Sequence, residues 1–163
     1  MVDTMERLAM NRRHSILSLG LLVVAACTRT PETSANGHDL VTVYKNESCG
    51  CCKQWVRHLQ QAGFAVDVHN IDNMGPTKER VGIPVAMGSC HTAEVGGYFV
   101  EGHVPADDIK RLLLEHPDAK GLTVPGMPAG SPGMEIPSGQ TQAYDVFLVS
   151  KDGTTSVYAH HGG

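Results

Sequence analysis

Apolar and polar positions follow two different periods from residue 40 onward. The segment Leu40–Tyr44 is apolar and β-branched, which predicts a strand, whereas apolar residues in 51–62 recur at helical spacing. Gly63 ends that helix, and Phe64–His69 then alternates between apolar and polar residues, which predicts a second strand. The pattern therefore predicts a β–α–β unit at the start of the folded domain.

Shorter elements are predicted after this unit. They are a weak helix over 74–80, a short buried strand over 83–87, a strand over 98–101 after a Gly-Gly turn, and a helix that begins at Pro105. Proline suits the first turn of a helix, and the acidic residues Asp107 and Asp108 complement the helix dipole, so this last helix has a well-defined start.

The composition changes after Lys120. The Gly/Pro-rich segment, residues 121–139, holds nine glycines and prolines among nineteen residues, which predicts neither helix nor central strand. We expect it to lie across the domain with fixed backbone angles. Ala143–Val149 then predicts a strand, and an Asp-Gly turn joins it to 154–158 in a terminal β-hairpin.

The first residues have the pattern of an export signal. Two arginines precede an apolar run over 16–26, which is too short to span a bilayer. The run ends in Ala-Ala-Cys27, which resembles a bacterial lipobox. We expect a signal peptide over 1–27, lipidated at Cys27 or cleaved nearby by ordinary signal peptidase, and a flexible linker over 28–39.

Charge and cysteine content restrict the partners and the compartment. The net charge is −4 and the body of the chain has no run of lysine or arginine, which argues against nucleic acid and against an electrostatic membrane surface. A membrane is then contacted only through a lipid on Cys27. An export signal places the folded domain outside the cytoplasm, where paired cysteines can oxidise.

Three cysteines lie within four residues, at the predicted start of the first helix. They are Cys49, Cys51 and Cys52. Unpaired N–H groups and the helix dipole favour thiolates there. Vicinal cysteines form a strained ring, so Cys49 and Cys52 are the pair that fits an ordinary redox disulfide. Three thiolates at one helix start also suit a soft metal. A metal site with or without redox chemistry, a plain redox dithiol and inert disulfides remain the alternatives.

Further soft and borderline ligands occur downstream. Thiolates and thioethers select Cu(I), whereas thiolates with imidazoles also suit zinc. Methionine favours copper, and Met127 and Met134 lie in the Gly/Pro-rich segment rather than on an amphipathic face. The candidate ligands beyond the helix start are Cys90, His91, His103, Met127 and Met134. The alternatives are a buried thiol, turn histidines and apolar anchors. His160 and His161 are expected in a metal-binding tail or a disordered end.

The order of elements, with CxxC after the first strand, predicts an α/β thioredoxin-like domain over 40–120. Pro84 would then be the cis-proline that faces the cysteine loop, with a trans turn proline as the alternative. The extension over 121–163 would pack on the same domain and carry the terminal hairpin.

Five motifs in order resemble the CopG-type copper-resistance family, a bacterial family of predicted metal-binding proteins. They are Cys-Gly-Cys-Cys (49–52), Ser-Cys-His-Thr-Ala (89–93), Glu-Gly-His-Val-Pro-Ala (101–106), Val-Pro-Gly-Met-Pro (124–128) and Gly-Ser-Pro-Gly-Met (130–134). The resemblance spans about 40–158. It implies a periplasmic thioredoxin-like domain whose CxCC cysteines bridge copper, with Cys90, His91, His103, Met127 and Met134 at matching motif positions.

The resemblance also implies a role in converting Cu(I) and Cu(II) during copper detoxification. The catalytic candidates are Cys49 and Cys52, which would supply electrons by forming a disulfide. The expected partners are copper ions and copper efflux or periplasmic copper-handling proteins. The alternatives are a passive copper buffer or chaperone and a metal-independent thiol–disulfide oxidoreductase.

Overall fold

The structure, a computed structural model, describes residues 40–162. The predicted signal peptide with Cys27 and the predicted linker over 28–39 lie outside these residues. The described chain forms three α-helices and seven strands, in the order β1 (Leu40–Lys45), α1 (Gly50–Gln61), β2 (Ala65–Asn70), α2 (Gly75–Val81), β3 (His91–Val95), β4 (Tyr98–Glu101), α3 (Ala106–Glu115), β5 (Ala119–Thr123), β6 (Tyr144–Ser150) and β7 (Thr155–His161). None of the helices within 40–162 is long and apolar enough to cross a membrane.

All seven strands belong to one sheet, with the order β2-β1-β3-β4-β5-β6-β7. The pairs β1–β2 and β4–β5 are parallel, and the other neighbours are antiparallel. The predicted α/β class and the order β–α–β, hairpin, helix are confirmed. This order is consistent with a thioredoxin-like arrangement, and the strands after α3 extend the same sheet.

The core lies between the sheet and the apolar faces of α1 and α3. Trp55 and Leu59 of α1 and Ile109 and Leu112 of α3 are fully buried in one hydrophobic cluster. The indole N–H of Trp55 also donates to the carbonyl of Val104 at 2.8 Å, so the buried ring is fully hydrogen-bonded. This packing fixes the start of α1, which carries the cysteines.

The prediction of a buried strand over 83–87 is wrong. Val85–Met87 is a short 3₁₀ helix, and Val85 is 99% exposed. Pro84 precedes it with a trans peptide bond, so the predicted cis-proline is also wrong. The antiparallel neighbour of β1 is instead β3, whose His91 and Thr92 are buried although they are polar. The apolar pattern predicts a strand at 83–87 rather than at β3, because β3 carries polar residues that are buried.

The expectation that no central strand occurs in the Gly/Pro-rich segment is wrong at its beginning. Gly121 lies in β5, between β4 and β6. A Cβ atom at this position would overlap the backbone carbonyl of Phe99, so the glycine allows the two strands to approach closely. A glycine that weakens most strands is required in this one.

The terminal histidines do not form a free tail. His160 and His161 belong to β7, where they pair with Asp145 and Tyr144 of β6. The Nε2 atom of His161 lies 2.6 Å from a carboxylate oxygen of Asp108 on α3. The last strand is therefore bound to the rest of the domain by side chains as well as by the sheet.

A histidine on α1 caps α3. The Nε2 atom of His58 accepts a hydrogen bond from the backbone N–H of Ala106 at 3.0 Å, so this ring is neutral at that nitrogen. Burial of the ring lowers the pKa of His58 below its usual value of 6.5. Because the folded pKa lies below the unfolded one, this contact contributes its full stability above about pH 6.5 and loses it as the pH falls through the folded pKa.

We expect His58→Ala to lower the free energy of unfolding at pH 7.5 by about 1 kcal/mol and to make the loss of stability on acidification smaller than in the wild type. Urea unfolding at pH 7.5 and pH 5 measures both effects. His69→Ala, at an exposed histidine of β2, is the matched control and should change neither. An unchanged pH dependence in His58→Ala would contradict the capping role.

Candidate metal centre

The start of α1 presents the first three sulfurs. Cys49 is the N-cap residue, and the backbone N–H of Cys52 points to its Sγ atom at 3.3 Å. Cys49 and Cys52 form a disulfide, as their spacing predicts. Cys51 keeps a free thiol whose Sγ lies 3.5 Å from that of Cys49. The helix start therefore combines a disulfide with a free thiol that is in contact with it.

Cys90 supplies a fourth sulfur from the start of the neighbouring strand. It immediately precedes β3, and its Sγ lies 3.6 Å from that of Cys52. The sulfurs of Cys49, Cys51, Cys52 and Cys90 all lie within 4.8 Å of one another, which is close enough for shared metal binding. The pairing of β3 with β1 brings Cys90 to the helix start, because α1 follows β1 directly.

Cys90 also belongs to a second group of potential ligands. Its Sγ lies 3.3 Å from Nδ1 of His91 and 3.2 Å from Nε2 of His103. These three residues again have their ligand atoms within 4.8 Å of one another. Cys90 is therefore shared by an all-sulfur group and a mixed sulfur–imidazole group.

The orientation of His103 is fixed by the Gly/Pro-rich segment. Its Nδ1–H donates to the carbonyl of Pro132 at 2.8 Å, which leaves Nε2 as the nitrogen that faces Cys90. A backbone carbonyl bonded to the far nitrogen is how proteins orient histidine ligands of metals. Burial lowers the pKa of His103, so the ring is held neutral and retains a lone pair.

His91 is buried completely and is also held neutral. Its ring packs against Trp55, with 4.3 Å between ring centroids, and against His103 at 5.1 Å. Burial is the main reason why the pKa of His91 lies well below its usual value, and the neighbouring His103 and Lys78 lower it further. Its Nε2 atom has no hydrogen-bond partner in the described chain. A buried polar atom without a partner is uncommon, but the His91 nitrogen that faces the Cys90 sulfur is Nδ1.

The Cys90 thiol is protonated in the metal-free protein. Burial, followed by the nearby Cys51, raises the pKa of Cys90 to about 11. Binding of a metal cation would replace the proton, because the thiolate is the form that binds metal. The neutral His103 beside it carries its proton on Nδ1, so its Nε2 atom has no proton to lose and accepts a cation without the same cost.

A carboxylate that the sequence did not single out holds the Cys90 turn in place. Glu101 is fully buried in β4, and its carboxylate accepts hydrogen bonds from the backbone N–H of Ser89 at 2.5 Å and from the hydroxyl of Thr92 at 2.7 Å. The ammonium group of Lys78 on α2 neutralises it. Glu101 therefore fixes the backbone next to Cys90. The sequence feature that points to Glu101 is its position two residues before His103 in the Glu-Gly-His motif.

The Gly/Pro-rich segment lies against the start of α1. A Cβ atom at Gly133 would be 2.7 Å from both the carbonyl oxygen of Cys51 and the backbone nitrogen of Trp55. Met134 follows it and is partly buried, whereas Met127 is 53% exposed. The neighbour of Met127, Gly126, donates its N–H to the carbonyl of Gly88, close to the Cys90 turn. The segment thus adjoins the cysteines, and ligation by the two methionines stays a prediction.

The donor set of the centre fits a soft or borderline cation. Once the disulfide is reduced, four thiol sulfurs and two imidazole nitrogens lie together, and such ligands suit Cu(I) and zinc. Nδ1 of His91 and the oriented Nε2 of His103, which both lie beside the Cys90 sulfur, add the nitrogen ligands that Cu(II) prefers. The structure thus groups six of the eight predicted ligands, namely Cys49, Cys51, Cys52, Cys90, His91 and His103.

The chain is similar to proteins that are named for copper resistance. The family described as "Protein of unknown function, DUF411" matches residues 87–134, which include Cys90, His103 and both methionines. A solved structure named copper resistance protein CopG, form 1, is 47% identical, with a TM-score of 0.72, and the match covers 76% of this chain and 98% of that chain. The structure named form 2 is 46% identical, with a TM-score of 0.73 and the same coverage. No curated protein matches. Since the identity extends over nearly the whole length of these structures, the chain belongs to the CopG family of copper resistance proteins.

Proposed function

We propose that the protein is a periplasmic copper-binding redox protein that interconverts Cu(I) and Cu(II). The observation that carries this proposal is that Cys90 belongs both to a group of four sulfurs and to a group with two imidazoles, and that the ligand atoms within each group lie within 4.8 Å of one another. Copper is the substrate of this chemistry. The names of the related structures and the soft donor set support copper over zinc.

The two ligand groups suit the two oxidation states. Thiolates of Cys49, Cys51, Cys52 and Cys90 bind Cu(I), whereas His91 and His103 provide the borderline nitrogen ligands that accommodate Cu(II). Because the groups meet at Cys90, an ion that changes its oxidation state keeps one ligand while it exchanges others. Short movements between adjacent ligands reduce the rearrangement that electron transfer requires.

The CxxC pair can supply the electrons. When Cys49 and Cys52 form their disulfide, two thiols lose two electrons and two protons, and two Cu(II) ions become two Cu(I) ions. The geometry for this step is present, because the structure already contains the bond between these residues. In the opposite direction, two Cu(I) ions would reduce the disulfide.

A passive copper buffer or chaperone is the first alternative, and it would bind copper at the same sulfurs without turnover. A metal-independent thiol–disulfide oxidoreductase is the second. The partly exposed Cys49 at a helix start favours the second, because thiols there are reactive. Sustained Cu(I)/Cu(II) conversion would exclude the buffer. Exchange activity without copper, retained in Cys51→Ser, would favour the oxidoreductase.

Copper counting tests the proposal directly. We expect the reduced full chain to bind at least one Cu(I) per chain and the triple variant Cys49→Ser/Cys51→Ser/Cys52→Ser to bind more than about 100-fold more weakly, because it lacks three thiolates, whereas loss of one supporting residue already costs about 10- to 100-fold. Competition with a chromophoric Cu(I) chelator gives the affinity, and electron paramagnetic resonance follows Cu(II) during turnover. Ser48→Ala, at an exposed neighbour, is the control. Less than one copper per chain, or equal binding by the triple variant, would contradict the proposal.

Export and a lipid anchor belong to the same proposal, and copper efflux or other periplasmic copper-handling proteins are the proposed partners. The support is the apolar run that ends in Ala-Ala-Cys27. We expect the chain to incorporate a labelled fatty acid in bacterial cells and the variant Cys27→Ser to lose the label. A wild-type chain found without label in the soluble periplasmic fraction would indicate ordinary cleavage instead.

A further inference from the structure

The oxidised protein cannot use its full set of sulfurs. Two of the four cysteine sulfurs are joined in the Cys49–Cys52 disulfide, so they are not available as thiolates. Each cycle in which this pair reduces Cu(II) also ends in the same disulfide. The metal-free oxidised protein therefore needs two electrons before it can bind Cu(I) with all four sulfurs.

The neighbouring thiols do not open this disulfide in the observed geometry. Thiol–disulfide exchange proceeds through three sulfurs in a nearly straight line. If the sulfur of Cys90 attacked that of Cys52 in line, the sulfurs of Cys90 and Cys49 would be separated by the sum of the 3.6 Å contact and a disulfide bond of about 2 Å. All four sulfurs lie within 4.8 Å of one another, so the three are not in line. The same reasoning applies to attack by Cys51, whose sulfur is 3.5 Å from Cys49. Exchange among these residues would in any case only move the disulfide.

The two sulfurs of the disulfide differ in their access to solvent. Cys52 is 0% exposed, whereas Cys49 is partly exposed. Gly50, the next residue, is exposed, and a Cβ atom built on it would meet no atom within 4 Å. An approaching molecule thus finds open space beside Cys49 and none at Cys52.

We propose that an external thiol reductant opens the disulfide by attacking Cys49, and that this reaction prepares the protein for copper. The proposal deepens the proposed function and depends on it for its purpose, but the chemical step can be tested without copper. The partner is defined by its chemistry as a dithiol, or as two molecules of a monothiol.

The step balances as two exchanges. The first thiolate of the reductant bonds to Sγ of Cys49, and the Cys49–Cys52 bond breaks with its electron pair on Cys52. The second thiolate of the reductant then attacks the reductant's own sulfur in the mixed disulfide, and the electron pair leaves on Cys49. The reductant ends as a disulfide, and the two cysteines take up two protons or bind a cation.

The start of α1 assists the second exchange. The N–H of Cys52 points to Sγ of Cys49 at 3.3 Å, and a hydrogen bond to a thiolate makes it a better leaving group. The same hydrogen bond would favour Cys49 as the leaving group in the first exchange, which would require attack on Cys52. Complete burial of Cys52 opposes that route, so access decides the first step and the hydrogen bond assists the second.

A pair of single-target variants tests the site of attack. Both carry Cys51→Ser and Cys90→Ser; one adds Cys52→Ser and keeps Cys49, and the other adds Cys49→Ser and keeps Cys52. Oxidised glutathione is the probe, and mass spectrometry follows the adduct. We expect the adduct to form at least about 10-fold faster at Cys49 than at Cys52. Circular dichroism establishes that both variants are folded.

A measurement on the wild-type chain does not depend on these substitutions. The oxidised metal-free protein is treated with reduced glutathione or with reduced thioredoxin, and acid-quenched samples are mapped for mixed disulfides. Adducts on Cys49 support the proposal, and the faster reagent identifies a monothiol or a protein dithiol as the source. Adducts on Cys52, equal rates in the two variants, or a disulfide that neither reagent reduces would overturn it. A reduced protein that fails to bind copper would instead contradict the proposed function.

Discussion

The variant Cys90→Ser is expected to lower the Cu(I) affinity by about 100-fold or more and to reduce the number of copper ions bound per chain. The reason is that Cys90 is the one residue common to both ligand groups, with sulfur contacts to Cys52, His91 and His103. Loss of a residue that only supports a ligand already costs about 10- to 100-fold in metal affinity, and loss of a shared ligand should exceed that. Chelator competition under anaerobic conditions measures the affinity.

His69→Gln is the control for this variant, because His69 lies on the edge strand β2 and is exposed. It should bind copper as the wild type does. Unfolding by urea separates a binding defect from a folding defect. A Cys90→Ser protein that is folded and binds copper within about threefold of the wild type would refute the shared role of Cys90.

The second large effect is expected for Gly133→Ala. This residue has a φ angle of +84°, and the added Cβ would lie 2.7 Å from backbone atoms of Cys51 and Trp55, which cannot move aside as a flexible side chain can. We expect the free energy of unfolding to fall by at least about 2 kcal/mol, of which about 1 kcal/mol comes from the left-handed backbone alone. The Gly/Pro-rich segment should also shift away from α1, and copper affinity should fall about 10-fold because His103 is oriented by Pro132.

Gly139→Ala is a closely matched control. Gly139 lies in the same segment with a φ angle of +71°, but a Cβ atom there would meet nothing within 4 Å. It should cost about 1 kcal/mol and leave copper affinity unchanged. Equal effects of the two variants on copper affinity would show that contact with α1 is not what places the segment.

The regular elements were predictable where periodicity reflects burial. The helices α1 and α3 each bury one apolar stripe, and β1 and β6 have buried apolar residues, so the local pattern determines the element. The strand β2 also alternates, although most of its residues are exposed. The strand β3 was not predicted because two of its buried residues, His91 and Thr92, are polar, so the segment lacks the apolar pattern of a buried strand. The strand β5 was missed because its glycine is required by Phe99 of the neighbouring strand, which local sequence does not reveal.

The candidate site was predictable to a similar degree. Cys49, Cys51 and Cys52 are adjacent in sequence, so their grouping at a helix start follows from the pattern alone. Cys90 and His103 lie in separate parts of the sequence. Their motifs predict them as ligands, but only the fold shows that they lie beside the start of α1. The Glu-Gly-His motif points to Glu101, but its role depends on contacts with Lys78 and Ser89 that only the folded protein shows. Met127 lies in its predicted segment, but a motif does not determine where a thioether points.

The continuous sheet has a consequence for any attempt to divide the protein. Because β5 pairs with β4 on one side and β6 on the other, a fragment truncated after residue 120 would leave β4 with an unpaired edge. That edge includes Phe99 and Val100, which are 2% and 0% exposed in the full domain. Uncovered apolar edges promote aggregation. The segment that carries the cysteines and the segment that carries the methionines are therefore one inseparable folding unit.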